Sequence, residues 1–225
     1  MCIIIEHAMF IRTVQAKGGK FVIRKHIEAL QGRKAGILGE DEFIRSAVML
    51  PLIEDKGGIK LLFEKRSAEL DYQPGEICFP GGKVEPSDGG PQNTAIRETC
   101  EELGILPEQL EMVAPLDVFV SPFNIVVTPF VAYLKDYRQI HFNPAEVEKI
   151  FSVPLNHFLQ NEPQLQTLKL NLTLPEDYPY HLIPHGRNYP WRQGIYQQYF
   201  YLWQDEVIWG MTAGILHNFI SLLQQ

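Results

Sequence analysis

The segment AIRETCEELGI, Ala95 to Ile105, carries carboxylates at i, i+3 and i+4. At the helical 100° per residue, Glu98, Glu101 and Glu102 fall at about 0°, 300° and 40°, inside one arc of about 100°. Ile96, Cys100 and Leu103 lie on the opposite side, so one face packs and the other presents acid. Like charges at these spacings repel by about 0.2 to 0.5 kcal/mol per pair. Arg97, at about 260° on the same wheel, flanks Glu101 and offsets part of that repulsion. A divalent cation offsets it more completely and prefers hard oxygen ligands, which makes Mg²⁺ or Mn²⁺ the natural candidate.

A glutamate-rich helix on its own is an ordinary solvated surface. The loop in front of it changes the weighting. Gly81, Gly82, Gly89 and Gly90 let the backbone approach a bound group, and Phe79-Pro80-Gly81-Gly82 delivers that loop into the carboxylate helix.

The elements that must position these residues follow from pattern. SAVMLPLIE and GIKLLFEKR read as two strands of a hairpin about the turn Asp55 to Gly58. DYQPGEICFPGGKVEPSDGGPQ is mostly loop around one short apolar run, Ile77 to Phe79. A helix is expected from Pro91 to Leu103, with Pro in its first turn and Gly104 at a left-handed stop. MVAPLDVFVSPFNIVVTPFVAYL reads as two strands broken at Ser121 to Asn124, and NPAEVEKIFSVPLNHFL as a short helix, a strand and a second short helix. QLQTLKLNLTL and YQQYFYLW are further strands. The chain closes in a helix, because Ile208, Met211, Ile215, Leu216, Phe219 and Leu222 recur at helical spacing. RKHIEALQGRK reads as a short polar helix, while Met1 to about Gly19 shows little pattern and reads as an extension or an edge strand. The whole suggests an α/β (α+β) fold, a mixed sheet between helical layers.

Bulk properties exclude several classes. A net charge of −7 over 225 residues argues against a nucleic-acid or anionic-lipid surface, both of which need a cationic footprint. The three cysteines, Cys2, Cys78 and Cys100, lack any C-x-x-C spacing, so neither a disulfide framework nor a zinc site is indicated and a reducing cytoplasm fits. MCIIIEHAMF lacks a basic leader, and no stretch is apolar for long enough to span a bilayer. The seven histidines show no metal-binding spacing. Trp191, Trp203, Trp209 and the tyrosines near Tyr199 read as packing, with stacking on an adenine ring as the alternative.

GGKVEPSD followed by AIRETCEELGI resembles the Nudix box, whose glycine, acidic residue and Arg-Glu-x-x-Glu-Glu-x-Gly core bind divalent metals and hydrolyse diphosphates linked to another moiety. It departs from the general box in Asp88, where Glu is usual, and in one extra residue before Arg97. Both departures are the form of the coenzyme A pyrophosphatase subgroup, which the chain also resembles in LLFEKRSAEL and PGEICFPGGK, with Arg66, Ser67, Leu70, Gly75, Phe79, Pro80, Gly81 and Gly82 in place. TPFVAYL, EVEKIFSVPL and IWGMTAGIL look like its downstream segments, so the resemblance runs from about Ser46 to Leu223. Asp71 and Gln73 depart from it, standing where the subgroup carries a basic residue and, two further on, a histidine.

The resemblance implies a Nudix fold, an α/β/α sandwich in a domain spanning 21–225, preceded by an extension of unknown role over 1–20. It implies Glu98 and Glu102 as principal ligands of Mg²⁺ or Mn²⁺, Glu101 as a further ligand or base, and Gly82 as a backbone carbonyl ligand. Arg97 has two readings, an ion pair that orients the glutamates or a phosphate ligand, and its helical angle favours the first. Arg66 and Lys83 are the candidates for substrate phosphates, with Ser67, Phe79, Gly81 and Gly82 completing the substrate site. Asp88 also has a simpler use, capping the turn into the helix. The implied substrate is coenzyme A or an acyl-coenzyme A, cut to adenosine 3′,5′-bisphosphate and a 4′-phosphopantetheine product. ADP-ribose, a dinucleotide or a nucleoside triphosphate is the alternative, and a non-catalytic nucleotide sensor the rival from another class. Small nucleotide-type molecules are the expected partners, with neither nucleic acid nor membrane, and a homodimer is left open.

Overall fold

A computed structural model describes residues 19–35 and 37–225. The chain divides into two compact units, Met1–Asp41 and Glu42–Gln225. In the first, helix α1 spans Gly19–Glu28 and carries an Arg24–Glu28 ion pair at 2.8 Å. It begins before the polar helix expected from residue 24 and ends sooner, since the chain passes into turns after Glu28 and through Gly32 at φ +78°. The pattern-poor stretch from Met1 to about Gly19 lies outside the described residues, save Gly19 itself. The stretch from Ile23 to Ala35 has no buried side chain, which is why the compact unit that holds the sheet starts at Glu42.

The second unit is built on a mixed sheet. Strands β1 (Ile44–Asp55) and β2 (Gly58–Arg66) form the hairpin, and β3 (Ile77–Cys78) pairs with β2. Strand β4 (Gly81–Lys83) pairs antiparallel with β1 and precedes α2 (Pro91–Leu103). Strands β5 (Leu110–Pro115), β6 (Phe119–Val120) and β7 (Ile125–Leu134) follow, then β8 (Val147–Pro154), which pairs with β2. The main order is β3-β2-β1-β7-β5, and β1 with β7 is the parallel pair. After α3 (Leu155–Gln160), strands β9 (Gln164–Leu170), β10 (Gly194–Trp203) and β11 (Glu206–Trp209) make a separate three-stranded sheet that leads into α4 (Gly210–Leu223).

Strand alternation divides the core in two. Leu61, Phe63, Val127 and Val131 face the side covered by α3 and α4, packing with Phe158, Ile215, Leu216 and Phe219. Leu62, Phe130, Ala132 and Leu134 face the other side, packing with Ala95 and Leu103 of α2. This is the expected α/β/α sandwich. The short helix expected at the start of NPAEVEKIF is instead a turn, because the Asn143 side chain accepts the Ala145 N–H at 3.1 Å and satisfies that donor locally. Among the described residues no helix is long and apolar enough to cross a membrane.

Candidate functional site

Helix α2 starts at Pro91, whose missing N–H would be unpaired there anyway, and stops at Gly104, whose φ of +61° lets its N–H close onto the Cys100 carbonyl. Thr94, Ala95, Thr99, Glu102 and Leu103 are its buried residues, with Ile96 and Cys100 half-buried, and exposure rises from Glu102 through Glu98 to Glu101. Glu102 is 5% exposed and accepts the Gly81 N–H at 2.8 Å. Glu98 is partly buried, and Glu101 is the most exposed of the three.

Arg97 organises the outer part of this face. Its Nε donates to Asp88 Oδ1 at 2.8 Å and its Nη2 to Asp88 Oδ2 at 3.1 Å. Nη2 also reaches Glu98 at 2.9 Å, and Nη1 reaches Glu101 at 3.1 Å. Asp88 in turn accepts the Glu85 N–H at 3.0 Å and the Thr94 hydroxyl at 2.7 Å. Its carboxyl is held well below the usual range, first by Arg97 and then by those two donors. Asp88 therefore closes the turn into α2 and anchors Arg97 as well, and the guanidinium is ion-paired with Asp88, Glu98 and Glu101 in this structure.

The loop glycines are used for close approach. A Cβ on Gly81 would lie 2.3 Å from the Ala47 carbonyl oxygen, and one on Gly82 would lie 2.4 Å from the Glu98 carboxyl. At Gly81 the neighbour is backbone and only hydrogen fits, whereas at Gly82 it is the end of the Glu98 side chain, so β4 lies against β1 on one side and the carboxylate face on the other.

One residue of this cluster escaped sequence reasoning. Glu64 on β2 is 1% exposed, and its Oε1 accepts a hydrogen bond from the Cys78 thiol at 3.2 Å. Burial pushes its carboxyl up to about 7, with the Cys78 bond pulling the other way. Burial, and then the charge of Glu64, pushes Glu102 up to about 9. The direction for this coupled pair is plain: without a compensating cation the two do not both carry charge near neutral pH. Burial also raises Glu98, against the pull of Arg97. The one available signal was a glutamate inside the apolar run LLFEKR.

Beside β4 opens a cleft of about 720 Å³. Arg66, Cys78, Gly82 and Lys83 are among its lining residues, as are Phe123, Tyr196, Trp209 and Met211, and Gly82 and Cys78 also stand against Glu98 and Glu64 respectively. Of the residues expected to bind substrate, Arg66, Phe79, Gly81, Gly82 and Lys83 border this cleft, while Ser67 does not. Ser67 is buried, and its hydroxyl accepts the Glu69 N–H at 3.3 Å. Phe79 is also buried, stacked on Phe63 with ring centroids 4.9 Å apart. Trp209 stacks on Phe200, with ring centroids 6.4 Å apart, and also lines the cleft.

Among the described residues no three His, Cys, Asp or Glu side chains converge as they stand into a cation-holding group, because Arg97 draws Glu98 and Glu101 towards itself. The donor set nevertheless suits a hard divalent ion. Carboxylate is in excess, and Glu64 Oε2 is buried with no hydrogen-bond partner.

The family model described as NUDIX domain matches residues 43–172. The chain belongs to the Nudix hydrolase family. It is 41% identical over 120 residues to the peroxisomal coenzyme A diphosphatase NUDT7 of Mus musculus, a match covering 53% of this chain and 51% of that protein. It is 35% identical over 179 residues to a Nudix hydrolase NudL of Photorhabdus laumondii, covering 80% of this chain and 84% of the relative. The match thus spans about half the length of the mouse protein and most of the bacterial one. A crystal structure of a C. elegans Ap4A hydrolase binary complex aligns with 49% of the chain and 80% of its own, at TM-score 0.42 and 23% identity. As a Nudix hydrolase the chain is a pyrophosphohydrolase of a family that uses divalent metal ions. The matched region ends before β10, β11 and α4, so the wall carrying Tyr196, Trp209 and Met211 comes from outside it.

Proposed function

We propose that this Nudix hydrolase cuts the pyrophosphate bond of coenzyme A or an acyl-coenzyme A with Mg²⁺ or Mn²⁺, releasing adenosine 3′,5′-bisphosphate and 4′-phosphopantetheine or its acyl form. The observation that carries the reading is that Gly81 and Gly82 stand between an under-compensated carboxylate face and a cleft that Arg66 and Lys83 also line. The mouse relative named as a coenzyme A diphosphatase supports the substrate.

In this reading Glu98 and Glu102 hold the ion, with Glu101 as a further ligand or base and Gly82 offering its carbonyl. The bound ion supplies charge neutralisation of the diphosphate and a water of lowered pKa. Arg66 and Lys83 hold diphosphate oxygens, and Arg97 fixes where the glutamates point. A glutamate not engaged as a ligand accepts the water's proton if it lies within hydrogen-bond reach. A cytoplasmic setting suits the thiols of Cys78 and Cys100, both of which burial keeps protonated.

Asp71 and Gln73 favour a second reading, a substrate without a 3′-phosphate such as ADP-ribose, a dinucleotide or a nucleoside triphosphate. Gln73 donates to Glu76 at 3.1 Å, and both line the cleft, so these side chains offer a 3′-phosphate no cation. The test is product analysis over coenzyme A, acyl-coenzyme A, ADP-ribose, NADH and diadenosine polyphosphate, with Glu102→Gln as control. Adenosine bisphosphate made by wild type and lost in the variant is expected. Faster cleavage of ADP-ribose reassigns the substrate, and tight binding without metal-stimulated turnover by folded protein favours a sensor.

A further inference from the structure

Within the carboxylate reading just given, we propose that Glu64 is a further ligand of the divalent-cation site, reaching it from the sheet side opposite the helix. Its register on β2 is that of Leu62, which packs with Ala95 and Leu103 of α2, whereas Leu61 and Phe63 face away towards α3 and α4. The side chain therefore enters the layer from which Glu102 approaches.

The atom inventory there is incomplete without a cation. Glu64 Oε1 has the Cys78 thiol as donor, and Oε2 has none. Glu102 has one donor, the Gly81 N–H, on Oε2. Arg97 is engaged with Asp88, Glu98 and Glu101. Arg66 turns its Nε to the Tyr72 carbonyl at 3.2 Å. Among the described residues, then, no side-chain cation forms an ion pair with Glu64 or Glu102. A buried carboxylate with an unsatisfied oxygen is retained at a cost unless something hard and positive meets it. The Cys78 thiol, kept protonated by burial, donates to one oxygen and leaves the other directed elsewhere. A purely structural role would be met as well by an apolar side chain in this apolar strand.

The test is Mn²⁺ binding to the full chain at one fixed pH, by calorimetry, with melting temperature read in parallel with and without the ion. Wild type is compared with Glu64→Gln, Glu64→Asp and Glu102→Gln. Glu64→Gln is expected to weaken Mn²⁺ at least tenfold and to shrink the Mn²⁺-induced rise in Tm, with no fall in the metal-free Tm. Glu64→Asp keeps the charge but withdraws it by one methylene, so an intermediate affinity is expected and serves if the glutamine variant does not fold. Mn²⁺ affinity within twofold of wild type in the Glu64 variants, with Glu102→Gln impaired, overturns the role of Glu64 and leaves the cation site standing. Wild-type affinity in Glu102→Gln as well overturns the carboxylate reading, and this inference with it.

Discussion

At the scale of single residues, two adjacent glycines make opposite predictions. The Cβ of Gly81→Ala meets backbone, 2.3 Å from the Ala47 oxygen and 2.6 Å from the Val48 Cα, at a φ of +153°. Neither neighbour can rotate away, so a loss on the order of 3 kcal/mol or more is expected in urea unfolding. The Cβ of Gly82→Ala meets only the mobile end of Glu98. Stability should hold, while displacement of that carboxylate lowers metal-stimulated turnover at least about tenfold. A folded, fully active Gly82→Ala enzyme would remove Glu98 from the site. Arg97 makes a third prediction, because it holds two of the glutamates and Asp88 at once. Arg97→Gln should cost about 10 to 100-fold in activity or metal affinity, as loss of an orienting partner does. Arg97→Lys should recover only part, since an ammonium lacks the fork that spans three carboxylates. Unchanged kcat and KM in Arg97→Gln would show that the glutamates orient themselves.

Between elements, the telling contact is the junction of β2 with α2, where Glu64 and Glu102 are buried together. Both carboxyls are raised above the unfolded value near 4.3, to about 7 and about 9. Groups shifted upward stabilise the fold fully below the unfolded pKa and lose that contribution as pH rises through the folded one. In chelator, Tm should therefore fall from pH 5 to pH 9, and Mn²⁺ should raise it more at pH 8.5 than at pH 5.5, since binding needs the ionised form. A chelated Tm flat over that range would show that the pair is not charged at a cost. This junction also marks what could be read in advance. The helix was legible because its apolar side, its three glutamates and its Pro and Gly ends recur at fixed angles. Glu64 was not, because β2 is buried on both faces from Leu61 to Glu64 and period-two alternation gives no contrast there.

At the scale of the whole molecule, the hairpin and the two helical layers follow from runs of apolar residues of strand or helix length, whereas the parallel pairing of β1 with β7 is fixed by contacts that run length does not encode. The separate sheet of β9, β10 and β11 was harder to read. Its strands are largely exposed on both faces, and β9 and β10 are joined by residues 171–193, held by short turns and aromatic contacts such as Tyr178 with Trp191. Exposed strands without a clean alternation carry little information about which sheet they join. Among the described residues the thirty buried apolar side chains lie between Ala47 and Ile220, and none is in the stretch from Ile23 to Ala35. Deleting residues 1–41 should thus leave Tm within about 3 °C, the shift that ~1 kcal/mol produces in a domain of this size. Turnover should also stay within about twofold, a small fraction of a decade's 1.36 kcal/mol. Differential scanning fluorimetry and kinetics on 42–225 check both. A larger drop in Tm with activity retained would assign the first forty-one residues a stabilising role, and a loss of activity at unchanged Tm would assign them a part in the site.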